Sequence, residues 1–215
     1  MNAIVIATKN AKCLPVLLAS IEAYVPHYVM TFISGSPQCC KSLRSVNITN
    51  TGNTYGESYN TIVNKAFEMY DNIIVANDDV VLTPDTYRKM EEDLEYLTGR
   101  GHKIGWLGAR SDYAHPTQLV QNLDPNLIHH STRISPLFAY VNRQAWVDYE
   151  PINWYSDDIQ CIDMNQKGYE HFVSRAYVHH VGSQTIGTDN QKNHLQPQEW
   201  IKTNRPIMYE KFYAK

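Results

Sequence analysis

The chain has 215 residues, 43% hydrophobic and 19% charged, with only 10 Gly and 10 Pro, a composition that excludes disordered, collagen-like and low-complexity architectures. Nineteen Lys and Arg against 22 Asp and Glu leave a net charge of −3 with no long basic run, which argues against nucleic acid as a partner. No apolar run approaches the ~18 residues needed to cross a bilayer, so no transmembrane segment is expected, and a cytoplasmic, soluble enzyme-sized domain is.

Ala3-Ile4-Val5-Ile6-Ala7 is a short apolar run rich in β-branched residues and predicts a buried strand. Leu14 to Tyr24 carries apolar residues at helical spacing, with Pro15 tolerated in the first turn. Tyr28 to Ile33 predicts a second strand closed by the turn Ser34-Gly35-Ser36-Pro37, and Val46-Asn47-Ile48 a third. Tyr59, Ile62, Val63, Ala66, Phe67 and Tyr70 make a helical stripe, and Asn72 to Ala76 another strand. Extended Val80-Val81-Leu82 leads to Thr83-Pro84-Asp85, which reads as a helix cap before the polar helix Arg88 to Leu97 and the turn Gly99-Arg100-Gly101. A strand over Ile104 to Leu107 follows. Residues 111 to 132 lack period and predict a mobile loop. Strand Leu137 to Val141, a helix through Gln160 to Lys167 and a late strand His171 to Val181 complete the alternation. The order β-α-β-β-α-β predicts one α/β domain with a mainly parallel sheet flanked by helices. The four cysteines, Cys13, Cys39, Cys40 and Cys161, include no CxxC pair and suit a reducing compartment.

Three clusters bear chemistry. Asn77-Asp78-Asp79 directly follows a strand, where open α/β sheets bind ligands, and adjacent carboxylates there suit Mg²⁺ or Mn²⁺ carrying a diphosphate; a solvated Asn-Asp turn is the plainer alternative. Trp154-Tyr155-Ser156-Asp157-Asp158 reads either as Ser156 capping a helix with acidic first-turn residues, or as a general base held beside an aromatic platform. In Tyr177-Val178-His179-His180, neighbouring imidazoles point to opposite faces of a strand, so one of them can join two carboxylates around a cation. The pair His129-His130 reads as a solvated loop. Trp106 reads as core. Arg110, Arg133 and Arg143 are expected in exposed salt bridges, with phosphate or acceptor contact as the alternative.

The order of these pieces resembles the GT-A glycosyltransferases, particularly the family 2 type that includes rhamnosyltransferase-like enzymes. The residues that carry the resemblance are Gly56-Glu57-Ser58-Tyr59-Asn60 before a helix, the strand Ile73 to Ala76 with Asn77-Asp78-Asp79, then Asp157-Asp158, Gly168-Tyr169 and His180-Val181-Gly182-Ser183-Gln184-Thr185. It spans nearly all of residues 3 to 186 and implies a GT-A domain over 1–187, with 188–215 an extension packed on it. By position it implies Thr8, Lys9, Ser34 and Ser36 at the nucleotide, and Asn60 beside nucleotide or donor sugar. Asn77 stands where the family's first acidic residue sits, Asp78 is the intermediate position, and Asp79 is the metal ligand together with His180 rather than His179. Counting back from Gly168 makes Asp157 the base; matching the acidic pair makes it Asp158.

The reaction so implied is inverting transfer of a sugar from a nucleoside diphosphate donor, a UDP-sugar by expectation, to the hydroxyl of a glycan, lipid-linked or small-molecule acceptor. It calls for a divalent cation, Mn²⁺ or Mg²⁺. Trp154 and Tyr155 would stack against acceptor or sugar. The alternatives are a sugar-nucleotide hydrolase or nucleotidyltransferase on a similar fold, or a non-catalytic carbohydrate-binding module. Trp200, Ile201, Ile207, Met208 and Phe212 in the C-terminal stretch could form an acceptor edge, a membrane-surface contact or a dimer face.

Overall fold

A computed structural model describes residues 1–9, 12–35, 44–49, 52–181 and 190–214, with the side chains of 190–193 left out. Four strands, β1 (Ala3–Ala7), β2 (Met30–Gly35), β3 (Ser45–Thr49) and β4 (Asn72–Asn77), form a parallel half-sheet in the order β3-β2-β1-β4. β8 (Phe138–Asn142) then pairs antiparallel with β4, followed by β6 (Ile104–Ser111), β9 (Glu170–His180) and β5 (Val80–Leu82), while β7 (His129–Ser131) pairs with β9. Six strands run one way and β5, β7 and β8 run the other. The sheet is thus mainly parallel, as the alternation of elements predicts.

Strand β1 is buried on both sides because every one of its first four residues is apolar. Ile4 and Ile6 meet α1 (Leu14–Tyr24) and α3 (Thr86–Gly99) through Leu14, Leu17, Ile21, Met90 and Leu97. Ala3 and Val5 face the opposite layer, α2 (Tyr55–Phe67) and α4 (Ser156–Gln166), through Ile62, Val63, Ala66, Cys161 and Met164. Two final helices, α5 (Asn190–Asn204) and α6 (Pro206–Phe212), pack Ile201 and Met208 against Ile152 and Ile159 at the start of α4.

Several boundaries differ from the sequence reading for identifiable reasons. β2 starts at Met30, because Val29 N–H closes a turn onto the Pro26 carbonyl at 3.0 Å, and it runs on through Ser34 and Gly35, which pair with β1 and β3. Helix α2 begins at Tyr55, not after the Gly56 to Asn60 segment: Thr54 and Glu57 form a reciprocal capping box. Gly56 thus lies inside the first turn, and only glycine fits there because a Cβ would sit 2.0 Å from the Glu150 carbonyl oxygen. Helix α3 starts at Thr86, whose hydroxyl accepts from Thr83 N–H at 2.8 Å, so Thr83 is not its cap. Helix α4 is not capped by Ser156, which is its first residue; the preceding Tyr155 adopts the left-handed region at φ 68°. His129 and His130 belong to β7, whose pairing with β9 holds them in a sheet, not in a solvated loop.

Residues 111–132 are also better anchored than their composition suggests. Arg110 is 3% exposed, and instead of forming an exposed salt bridge its guanidinium donates to the carbonyls of Ser174, Asp124 and Leu127 at 3.0, 2.8 and 2.9 Å. Gln118 adds bonds to the carbonyls of Ala109 and Ser135 at 2.9 and 3.0 Å. Arg143 does pair with Asp71 at 3.2 Å on the surface. Trp106 is wholly buried, its indole donating to Gln160 Oε1 at 3.0 Å. Cys13 and Cys161 are free thiols, whereas Cys39 and Cys40 lie outside the described residues. Among the described residues no helix is long and apolar enough to cross a membrane.

Helix α3 is fastened to β9 by one buried carboxylate. Asp93, fully buried, accepts from Ser174 Oγ at 2.7 Å and from Arg175 N–H and Nε at 2.6 Å each. Asp93→Ala strands all three donors and is expected to cost about 2–4 kcal/mol. The urea midpoint should fall with the slope unchanged; a midpoint within error of the parent would refute this account.

Candidate active site

The strand directions bring the chemistry-bearing residues to one edge. Strands β1, β4, β6 and β9 end there with Ala7, Asn77, Ser111 and His180, Thr8 following β1 directly, and β8, running oppositely, begins there just after Leu137. Open α/β sheets present ligands at this carboxyl edge. A cavity of about 700 Å³ lies on it, lined by Thr8, Lys9, Asn77, Asp78, Asp79, Asp157, Asp158 and His180 among others. That volume accommodates a nucleotide-sized ligand.

Asp78 and Asp79 are 8% and 7% exposed, and they cannot both shed water cheaply. Burial pushes the Asp78 carboxyl up; Thr8 Oγ1 donates to it and offsets part of that rise, while the Asp79 charge adds to it. The Tyr59 hydroxyl braces the strand end through the Ala76 carbonyl at 2.8 Å and reaches Asn77 Oδ1 at 3.4 Å.

Asp79 and His180, 101 positions apart, are neighbours because β5 and β9 pair with Val80 opposite His180, and Val181 N–H donates to the Asp79 carbonyl at 3.0 Å. His180 Nε2 lies 3.1 Å from Asp79 Oδ1, and Nδ1 lies 2.6 Å from the Tyr113 carbonyl. A carbonyl only accepts, so Nδ1 carries the proton and Nε2 turns its remaining valence toward a carboxylate oxygen. Two lone pairs facing each other at this distance require a cation between them or beside them, a proton or a metal. Burial pulls His180 down, but the Asp79 carboxylate and the Tyr113 carbonyl outweigh it and hold the imidazole above its ordinary value. His179 points away to Asp112, 2.5 Å from its Oδ2. Among the described residues no three His, Cys, Asp or Glu side chains converge as a complete metal cage. The oxygen and imidazole donors of Asp79 and His180, with Asp78 beside them, nonetheless fit a divalent cation that takes its other ligands from phosphate.

The second acidic pair starts α4, where the helix dipole favours negative charge. Asp158 faces Arg133, Nη1 to Oδ2 at 3.2 Å, and the Tyr213 hydroxyl at 3.5 Å. Arg133 is thus part of this site, not a remote surface pair. Among the described residues Asp157 meets no such cation. Burial, and then the Asp158 charge, raises its carboxyl to about 7. Asp158 is raised too, by burial, with Arg133 opposing the rise.

The remaining residues singled out in the sequence divide. Lys9, Trp154 and Tyr155 line the cavity. Ser34 is buried at the edge, its hydroxyl without a partner among the described residues, but outside the lining. Asn60 is also outside it: its amide spans the Tyr149 backbone with two 2.8 Å bonds, so it braces the segment before Trp154. Ser36, and the tail Gly182 to Thr185, lie outside the described residues. Sequence reasoning did not find Tyr55, Tyr113, His115 or His194. His194 comes from α5; its ring lies 4.8 Å from Trp154 and its Nδ1 is 2.9 Å from the Tyr155 hydroxyl. Nothing in the local sequence marks it, because α5 is outside any motif.

No protein-family model and no curated protein matches the sequence. Solved structures match in shape. Residues 1–349 of TarS from S. aureus superpose with a TM-score of 0.65 at 11% identity over 100% of this chain and 66% of that one. The fold is GT-A. Mannosyltransferase PcManGT from Pyrobaculum calidifontis, in complex with GDP-Man and Mn²⁺, matches with a TM-score of 0.64 at 11% identity, over 86% of this chain and 57% of that one. GalNAc-T7 with UDP, GalNAc and Mn²⁺ matches at 0.64 and 10% identity, over 84% and 43%. The chain therefore spans 66% or less of the chains in these structures.

The raised Asp157 carboxyl has a stability consequence. Ordinary carboxyls ionise near pH 4, so between there and about pH 7 the unfolded chain loses this proton more readily than the folded one, and stability falls as pH rises through that window. Asp157→Asn removes the liability. At pH 8 the variant should melt about 2–4 °C higher per kcal/mol relieved, with the difference vanishing near pH 4. A variant no more stable than its parent at pH 8 would contradict the burial argument.

Proposed function

We propose that the chain is an inverting, divalent-cation-dependent glycosyltransferase that moves a sugar from a nucleoside diphosphate donor, of the UDP-sugar class, to an acceptor hydroxyl. The observation that carries this reading is the convergence, on one GT-A cavity, of the Asp79–His180 pair and a partly buried aspartate of raised basicity. Supporting it, a TarS structure that matches this chain with a TM-score of 0.66 is in complex with UDP-GlcNAc, and the matching mannosyltransferase and GalNAc-T7 structures contain Mn²⁺.

In this reading Asp79 and His180 hold the cation, with Asp78 kept in place by Thr8. The cation, when bound, supplies positive charge to the departing diphosphate. Asp157 takes the proton of the acceptor hydroxyl as its oxygen attacks the anomeric carbon; the bond from that carbon to the diphosphate oxygen breaks and its electron pair leaves with the nucleotide. A carboxyl near pH 7 is a stronger base than an ordinary carboxylate and is still substantially ionised at neutral pH. Attack from the side opposite the diphosphate inverts the anomeric centre. Trp154 and Tyr155, which line the cavity, would stack against the acceptor or sugar.

A thermal-shift panel of UDP- and GDP-sugars with and without Mn²⁺ tests donor binding. Stabilisation that requires both nucleotide and metal is expected in the parent and lost in Asp79→Ala; a nucleotide response unaffected by either metal or this substitution would sink the assignment. Asp157→Asn should retain that response and lose about 10²–10⁴-fold in turnover. Proton NMR of the glycoside should give the inverted anomer, and a retained anomer would exclude direct displacement.

A further inference from the structure

Two acidic side chains adjacent on one helix turn need something to tell them apart, and the structure contains it. Arg133 sits between β7 and β8 on a backbone pinned at both sides: Ser131 Oγ donates to the Arg133 carbonyl at 2.6 Å, and Ile134 N–H donates to Cys161 Sγ of α4 at 3.4 Å. Its guanidinium bonds Asp158 and lies over the Phe212 ring, 5.8 Å from the centroid. The next residue, Tyr213, directs its hydroxyl at the same Asp158 oxygen, and its ring packs 5.0 Å from that of Tyr155. The C-terminal end of α6 thus closes one side of the acidic pair.

We infer that Arg133, gripped by the aromatic end of α6, is the positioning residue that divides labour within the pair, pinning Asp158 as the anion and leaving Asp157 to take the acceptor's proton. The inference rests on the glycosyltransferase reading above. The two aspartates share neighbours but not cations. Asp158 is faced by Arg133, by His115 from the segment after β6, by Tyr213, Cys161 and Asp157. Asp157 is faced by Asp158, by Ser135 and by the neutral Tyr55, Tyr149, Cys161 and Tyr213, none of which offers a positive charge. The guanidinium is fixed in charge at any working pH, so it biases the pair in one direction throughout. His115, pulled down by burial, is the weaker cation of the two.

The test is the pH dependence of kcat at saturating donor and Mn²⁺, which keeps the metal-holding residues loaded. Removing the cation by Arg133→Met makes Asp158 harder to ionise, and because the working form needs both acids ionised, the acid limb is expected to move up by about one pH unit. Arg133→Lys should restore most of that shift. A uniform fall in kcat with the limb unmoved would mean that Arg133 only supports the fold and would overturn the inference. Carboxyl ¹³C NMR of the ligand-free chain supplies a readout that needs no turnover. The pair's titration should move upward in Arg133→Met, and in the milder Phe212→Leu if the first variant does not fold; no movement in a folded variant overturns the inference. If the parent transfers no sugar from any nucleotide donor, the glycosyltransferase reading falls, while an upward NMR shift still upholds the electrostatic division of the pair.

Discussion

The contact between Asp79 and His180 is made by backbone register, and the geometry of the rest of the site follows from it. Three residues of β5 pair with the last residues of β9, so the turn after β4 and the end of β9 cannot separate without breaking a sheet edge. The Tyr113 carbonyl then fixes which imidazole nitrogen is free, and Asp112 fixes the main chain of His180 by accepting its N–H at 3.0 Å. An orienting acceptor behind the ring sets the tautomer and sharpens the direction of the other nitrogen. A side-chain pair held this way loses little freedom when it closes on a cation, because the ordering has already occurred in folding.

Around that contact the cavity concentrates negative charge. Four carboxylates, Asp78, Asp79, Asp157 and Asp158, line it, against the cationic Lys9 and, just behind Asp158, Arg133. Like charges in a partly desolvated space destabilise the ligand-free fold, which is the usual situation where residues are selected for chemistry rather than stability. The two acidic pairs handle their repulsion differently. Asp78 is relieved by a hydroxyl and Asp79 by an imidazole, an arrangement suited to holding a cation. At the start of α4 Asp158 has an arginine, whereas Asp157 is buried, accepts from the Asp158 N–H at 3.1 Å and meets no cation among the described residues, so the two carboxyls are held in unlike environments.

Much of this was legible in the sequence, and the boundary of legibility is physical. Strands such as β1 and β4 announce themselves because both faces are buried and every position must be apolar. The Asn77 to Asp79 turn and the Asp157-Asp158 pair are local in sequence and sit at element ends, where short motifs survive. The burial of Arg110 is not legible, because its partners are three carbonyl groups and carbonyl positions leave no trace in residue type. Asn60 was assigned to the ligand, yet its amide saturates the backbone of Tyr149, 89 positions away, a contact that only the tertiary fold creates. Nor does the sequence show the turn at Tyr155: its positive φ is forced on a bulky side chain, a conformation that persists only when surroundings over-determine it.

Those surroundings come largely from α5 and α6. The Tyr155 hydroxyl meets His194 and accepts from Gln198 at 3.2 Å, while Tyr213 packs on its ring. Arg205 ties the two helices back to Glu150 and Asp163, the latter at 3.0 Å. The apolar cluster beneath is small, centred on Ile152, Ile159, Ile201 and Met208, and Pro197 removes one backbone donor from α5. Cooperative units with little buried apolar surface open at lower free energy than the main core. Opening of this unit would free Tyr155, withdraw Phe212 from Arg133 and expose the acidic pair to water while leaving the Asp79–His180 contact intact. The two halves of the cavity therefore rest on supports of unequal strength: the Asp79–His180 half on a sheet, the Asp157–Asp158 half on a docked helical pair.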